Sequence, residues 1–429
     1  MNTRSLYIYI PIVLLTLIVS FLLKFDISNG GSSRDFFYHW EYIVALNKDL
    51  SILFEYNHSS ERGFSQHYPL HHLVISRFDF LLTKQEYYLN SYFIFSLLLP
   101  VLFYYCLENR FPGLDKKKKI FLSLMIYFLP NYQSSAIWGN SHISSLFFFL
   151  GSIYFLNKLE KNEEKINLNI FFIVLFMAFA AYTRQYYVIF FPYLFLIILM
   201  KTNFKNIIFF CLSSIVLSIP GLLFFINNPI LLGGLLGNYT NFKSSILIIL
   251  SIMFVYLFPF FISDLKYNIS KSLELFKNKN FSRIFILSTI IFLYIFINFN
   301  YNGYLGGGFF YKISKIVIGN NLLFFIIAFS GMFLCFYFFR KKIEDIFLII
   351  IICTSFSSGY AIFQKYFEPM ILILIFLLIN KDLVKKVFKF NPHIIFTYFL
   401  FYWITYFIYS ASLIKKIDTL LPKVGIIGY

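Results

Sequence analysis

The chain has 429 residues, of which 59% are hydrophobic, 23% aromatic and only 13% charged, with a mean hydropathy of +0.72. A soluble domain of this length does not carry so little charge, so soluble enzymes and nucleic-acid-binding proteins are excluded and the formal net charge of +17 needs another explanation. Backbone groups in hydrocarbon must bond one another, and the apolar runs are continuous rather than alternating, which predicts spanning helices and not the strands of a barrel.

The first apolar run, 6–23, has a basic start but no small-residue cleavage site, and reads as a retained first helix. A long loop, 24–86, follows. Its Phe36, Phe37, Trp40, Tyr42, Ile43 and Leu46 predict an amphipathic helix lying at the membrane surface. Asp35, just ahead of this apolar set, is suited to a general base that takes a proton from a hydroxyl. It is equally suited to capping the helix that starts there.

The loop ends in His67-Tyr68-Pro69-Leu70-His71-His72. No carboxylate stands at a familiar ligand spacing from His67, His71 or His72, and Pro69 interrupts the helix, so no metal is expected. These rings are better suited to hydrogen bonding, to a substrate or within the fold. Further apolar runs lie at 87–107, 118–131, 142–157 and 167–182.

Between 167–182 and the next run, 185–200, stands Thr183-Arg184-Gln185-Tyr186-Tyr187. An arginine here is costly in lipid unless it faces water, a partner or an anion. The alternatives are a snorkelling side chain or a phosphate-binding one. The remaining runs are 205–226, 244–263, 283–299, 320–339, 345–361, 367–380 and 394–412. Polar candidates among their connections are Lys312 and the stretch Gln364-Lys365-Tyr366-Phe367-Glu368-Pro369. Pro369 can open the following helix with Glu368 beside its dipole, while Lys365 could join Arg184 on a phosphate. Cys106, Cys211, Cys335 and Cys353 lie inside apolar runs and read as small core residues.

Joined in order, the runs put every second loop on one side: 108–119, 158–165, 201–205, 264–283, 340–342 and 381–389. All are rich in lysine or arginine, which accounts for the net charge and makes them cytoplasmic by the positive-inside rule. The other set, 24–86, 131–141, the Arg184 turn, 227–243, 300–319 and 362–368, then faces the lumen or periplasm. Asp35, His67, Arg184, Lys312, Lys365 and Glu368 all fall in that set, although the lysine count did not consult them. One outward-facing site is the simplest account. Asn57 and Asn238 head glycosylation sequons on the same side, but an asparagine-rich chain produces such triplets by chance.

Several short stretches together resemble one family. They are Asp35-Phe36-Phe37, Phe64-Ser65-Gln66 ahead of Pro69, Thr183-Arg184-Gln185, the segment 234–244 before a span containing Pro259, Tyr311-Lys312, and Gln364 to Pro369. Their order is similar to that in the dolichyl-phosphate-glucose-dependent alpha-1,2-glucosyltransferases, which add the last glucose to the lipid-linked N-glycan precursor and belong to the glycosyltransferase C superfamily. The family's adjacent acidic pair appears here as Arg34-Asp35, and its threonine- and proline-rich turn as His67-Tyr68-Pro69-Leu70-His71.

The resemblance implies an all-α polytopic membrane protein of about 11–13 transmembrane helices, a single domain over 1–429 in which 24–86 is an outer loop carrying interfacial helices. It implies an enzyme that moves a hexose, with glucose first, from a polyprenyl (dolichyl-type) phosphate to a glycan or lipid-linked oligosaccharide with inversion. Asp35 would be the base, Arg184 and Lys365 would bind the donor phosphate, and His67, Gln185, Tyr366, Glu368 and Lys312 would position substrate. No cofactor, metal or nucleic acid is called for. The membrane would be the endoplasmic reticulum in a eukaryote or the inner membrane in a bacterium, with the site on the lumenal or periplasmic side. A transporter or flippase of a lipid-linked saccharide is the competing reading; it predicts charged groups near mid-membrane and repeated, broken halves.

Overall fold

The computed structural model describes residues 3–28, 31–53, 67–159, 166–227, 242–301, 306–339, 342–355, 362–379 and 392–424. Phe64-Ser65-Gln66, Asn57, Asn238 and the loops 160–165 and 381–389 lie outside the described residues. Among those described, all regular structure is helical. Among the described residues, seven helices are long and apolar enough to cross a membrane: Gln85–Arg110, Ile166–Thr183, Phe204–Asn227, Lys243–Ile262, Lys279–Ile297, Leu322–Phe339 and His393–Ala411. The chain is an all-helical, multi-pass membrane protein.

Of the other apolar runs, 6–23 and 142–157 form the helices Thr3–Leu22 and His142–Leu159, whereas 118–131, 185–200 and 367–380 are broken into shorter pieces, and the sequence supplies the reason. The run 118–131 is divided into the helix Lys116–Leu124, a 3-10 turn Met125–Phe128 and a helix beginning at Pro130. Proline crowds the residue before it out of helical geometry, and Leu129 is extended (φ −85°, ψ 116°). The run 185–200 opens with the 3-10 turn Gln185–Ile189, and 367–380 contributes only Met370–Leu377, every residue of which is buried. The last of these pieces lies inside the bundle, whereas Phe190–Lys201 keeps Phe195, Leu199 and Met200 exposed on one side.

Burial divides the long helices into a centre and a rim. Most of Lys243–Ile262 is buried, whereas Phe204–Asn227 and Lys279–Ile297 are largely exposed through leucine and isoleucine, as lipid-facing helices must be. The central helix packs along Leu322–Phe339, and Gly331 makes the approach possible: a Cβ there would stand 2.0 Å from the Leu250 carbonyl oxygen.

The predicted surface helix is present as Gly31–Lys48. It buries Ser32, Phe36, His39, Ile43 and Leu46, a spacing of three and four that marks one helical face. Asp35 lies off that face and is half-exposed. Contacts then sort the loops as the lysines did. At one end Ser410 donates to the Ile27 carbonyl, Gly307 to the Ile362 carbonyl, and Ser244 Oγ exchanges bonds with Asn300. At the other, Tyr9 meets His393, Arg110 donates to the Ile379 carbonyl, and Tyr337 donates to Asn268.

Candidate functional site

Arg184 stands where the helix Ile166–Thr183 stops, in extended backbone (φ −143°, ψ 109°) before the 3-10 turn. Its amide still donates to the Ala180 carbonyl at 2.8 Å, so the turn is continuous with the helix and aims the side chain rigidly. The side chain is 1% exposed. Its Nε donates to Ser141 Oγ at 3.0 Å and one terminal nitrogen donates to His67 Nε2 at 2.6 Å. Both partners are neutral, and among the described residues no carboxylate lies within ion-pair distance. A guanidinium carries five donors and burying it costs several kcal/mol unless charge or hydrogen bonding compensates.

The guanidinium fixes the chemistry of its neighbour. It can only donate, so His67 Nε2 accepts and the ring proton sits on Nδ1, which donates to Gln185 Oε1 at 3.2 Å. Burial first, and the Arg184 charge second, hold the His67 imidazole well below its usual range. His39, His71 and His72 are depressed as well, chiefly by burial, with Arg184 adding to each; His71 is brought down to about 3. The result is a set of uncharged rings around one buried cation.

These rings form a connected layer. His39 Nδ1 meets His72 Nε2 at 2.7 Å, and the His39 and His67 rings stack with centroids 6.3 Å apart. His71 bonds Ser144 at 3.0 Å and Tyr88 at 3.1 Å. His72 Nδ1 is buried without a hydrogen-bond partner among the described residues, and among them no group of three His, Cys, Asp or Glu has the arrangement to hold a metal ion.

A second charge lies in the same layer of loops. Lys365 Nζ pairs with Asp35 Oδ2, and both side chains stay partly open, at 12% and 31% exposure. The Lys365 charge reaches His67 electrostatically. Tyr366, the next residue, places its ring 5.7 Å from that of Tyr186, and the Tyr186 hydroxyl bonds His142 Nδ1 at 3.0 Å. His142 Nε2 then donates to the Glu368 carbonyl at 2.7 Å, which closes a ring of contacts from the Arg184 turn to the 362–369 segment. Asp35, His67, Arg184, Gln185, Lys365 and Tyr366 are thus brought together from four separate stretches of chain.

Two other expected site residues are placed differently. Glu368 is completely buried, and its carboxylate is taken up by the Asn131 backbone and side chain at 2.9 and 3.0 Å and by the Tyr256 and Tyr402 hydroxyls, each at 2.5 Å. Burial pushes this carboxyl above its ordinary range despite those donors. It ties together the spans of Tyr256 and Tyr402, the Pro130–Ile137 helix and the Lys365 segment, leaving no oxygen open to a ligand. Lys312, on the short helix Gly308–Ile313, is half-buried and depressed by desolvation, and it makes no hydrogen bond or ion pair with the other site residues. The nearest link is one turn earlier, where the Phe309 amide donates to Gln364 Oε1.

Sequence reasoning passed over Ser141, Asn131, Tyr256 and Tyr402. A single tyrosine inside a span carries no signal in a chain with 33 of them. Ser141 was findable in principle, since it precedes His142 in a loop already assigned to the outer set. Family models, curated proteins and solved structures were all searched, and none matches this chain. The functional reading therefore rests on the residues and their arrangement.

Proposed function

We propose that the protein is a membrane glycosyltransferase of the glycosyltransferase C type, moving a hexose from a polyprenyl phosphate to a glycan or lipid-linked oligosaccharide acceptor. Glucose and the alpha-1,2 linkage are the choice to which the sequence resemblance points. The observation that carries the reading is Arg184: a buried cation with neutral partners, in the same ring of contacts as a carboxylate–ammonium pair. Such a guanidinium is incomplete without an anion, and a phosphate with several acceptor oxygens matches its fork.

The reaction would run in one displacement. Asp35 accepts the proton of the acceptor hydroxyl, the oxygen attacks the anomeric carbon, and the bond from that carbon to the phosphate oxygen breaks with its electron pair leaving on the phosphate. Inversion follows from attack opposite the leaving group. Arg184 and Lys365 stabilise the charge that grows on the departing polyprenyl phosphate, more in the transition state than in the bound donor. Lys365 has to exchange Asp35 for phosphate as the donor arrives, which would free the carboxylate for the acceptor. His67, oriented by Gln185, holds the guanidinium, and both can meet substrate oxygens at its edge; Tyr366 lines the approach. The site lies at the loop end that the lysine distribution assigns to the lumen or periplasm, in keeping with a donor whose headgroup lies at the membrane surface.

The deciding experiment is transfer from a radiolabelled polyprenyl-phosphate glucose by the purified protein in lipid nanodiscs. Wild type is expected to transfer label, and Asp35→Asn and Arg184→Ala to insert normally without transferring it. Undiminished transfer by either variant would remove that residue from the mechanism. Transport of the lipid across the bilayer without bond cleavage would establish the flippase reading in its place.

A further inference from the structure

The turn 138–141 holds polar groups that the fold leaves without partners. Asn140 is 1% exposed, yet among the described residues neither its Nδ2 nor its Oδ1 has a hydrogen-bond partner. Trp138 Nε1 and Ser135 Oγ are buried and unpartnered too. Unmade bonds of this kind cost stability, and native proteins rarely keep several within six residues.

Loose packing is not the reason, because main-chain groups of the same turn are engaged. Tyr92 Oη donates to the Asn140 carbonyl at 2.7 Å, the Tyr88 hydroxyl donates to the Gly139 carbonyl, and the Asn140 amide donates to the Ser135 carbonyl at 3.0 Å. Gly139 adopts φ +61°, and a Cβ there would meet the Tyr88 ring at 2.4 Å, so the turn admits no other residue without moving. His71 and Ser144 brace Tyr88 and Tyr92 in turn. The fold therefore holds the main chain of this turn firmly and spends nothing on its amide and indole.

The turn also touches elements that carry both candidate groups. Ser141, adjacent to Asn140, holds Arg184 Nε, and the Trp138 ring lies 6.0 Å from that of Phe36, the neighbour of Asp35. A sugar bonded to the phosphate and attacked by a hydroxyl under the base has to occupy the space between cation and carboxylate. An amide offers a donor and an acceptor side by side. Phosphate would use only the donor and a cation only the acceptor, whereas adjacent sugar hydroxyls use both. We propose that Asn140, with the Trp138 indole N–H, reads vicinal hydroxyls of the transferred hexose and so sets which sugar is accepted. This rests on the glycosyl-transfer reading and adds to it the residue that determines specificity.

The test compares two lipids on the full chain in detergent: a short-chain polyprenyl monophosphate, and the same lipid bearing glucose. Melting temperature is measured for wild type, Asn140→Leu and Asn140→Ala. Wild type is expected to gain more from the sugar-bearing lipid than from the bare one, and both variants to gain equally from the two. Without lipid, Asn140→Leu should melt no lower than wild type, since it replaces unpartnered polar atoms with apolar ones of similar volume. Where leucine overfills the site, alanine decides. In transfer, KM for the sugar-bearing donor should rise about tenfold or more, with kcat less affected.

A variant that keeps the extra gain from sugar would overturn the proposal and leave water as the partner of the amide. A wild type that responds to bare phosphate but not further to sugar overturns it as well, while leaving phosphate binding intact. No response of wild type to either lipid removes the glycosyl-transfer reading and this inference with it.

Discussion

Lys365 donates to Asp35 across 330 positions of sequence, joining the first loop to the turn before the buried helix Met370–Leu377. Neither residue announces the other in the primary structure, and their pairing places the candidate base and a candidate phosphate ligand within one contact. In the free protein each neutralises the other, so the site presents Arg184 as the cation left for an incoming anion.

This pairing predicts a measurable coupling. In a double-mutant cycle, Asp35→Asn and Lys365→Met should each destabilise the protein, and the pair of substitutions should cost less than their sum by about 1–2 kcal/mol, a modest value because both side chains remain partly open to solvent. Chemical or thermal unfolding in detergent checks it. Additive losses would mean that the contact contributes nothing to the fold.

Arg184 is expected to tolerate no substitution, lysine included. A lysine keeps the charge but not the fork that reaches Ser141 through Nε and His67 through a terminal nitrogen at once. Arg184→Lys should therefore lower transfer by about 10²-fold or more, in the range found for removing one oxyanion-stabilising donor. A lysine variant with near wild-type rates would reduce the role of Arg184 to its charge alone.

Glu368 predicts a stability effect rather than a binding one. Removing the carboxylate strands the Asn131, Tyr256 and Tyr402 donors in a buried site, so Glu368→Ala should cost about 3–5 kcal/mol. Glu368→Gln keeps one acceptor oxygen and lets the phenols reorient, and should cost less. Denaturant titration of both variants distinguishes this from a residue that merely touches substrate, whose loss would leave the midpoint unchanged.

The sequence carried the class of the fold, because that depends on a strong one-dimensional signal, hydropathy. Asp35, His67, Arg184 and Lys365 were legible as candidates because a charge or imidazole stands out against apolar surroundings. Which apolar runs form one unbroken helix was not, since Pro130 and the turn after Arg184 divide two of them into shorter pieces that a hydropathy window reads as whole. The clamp on Glu368 was hidden for a different reason. Its partners are tyrosines in two spans, and only the packing of those spans reveals that they share an acceptor.

The histidine layer predicts how stability follows pH. His39, His67, His71 and His72 are all held neutral in the fold, with His71 as low as about 3, while in the unfolded chain each takes up a proton near its ordinary value of about 6.5. Between those values the unfolded state binds more protons, so stability rises with pH across that window and is lost as pH falls below about 6.5. Above about 7.5 these rings are neutral in both states and contribute no slope. Each proton taken up only on unfolding adds about 1.4 kcal/mol per pH unit at full effect, so the melting temperature of the wild type should fall steeply on acidification toward pH of about 5. His71→Gln removes one such proton and should flatten the fall, whatever it does to the melting temperature at neutral pH. An unchanged slope in that variant would show that His71 is not held neutral by the fold.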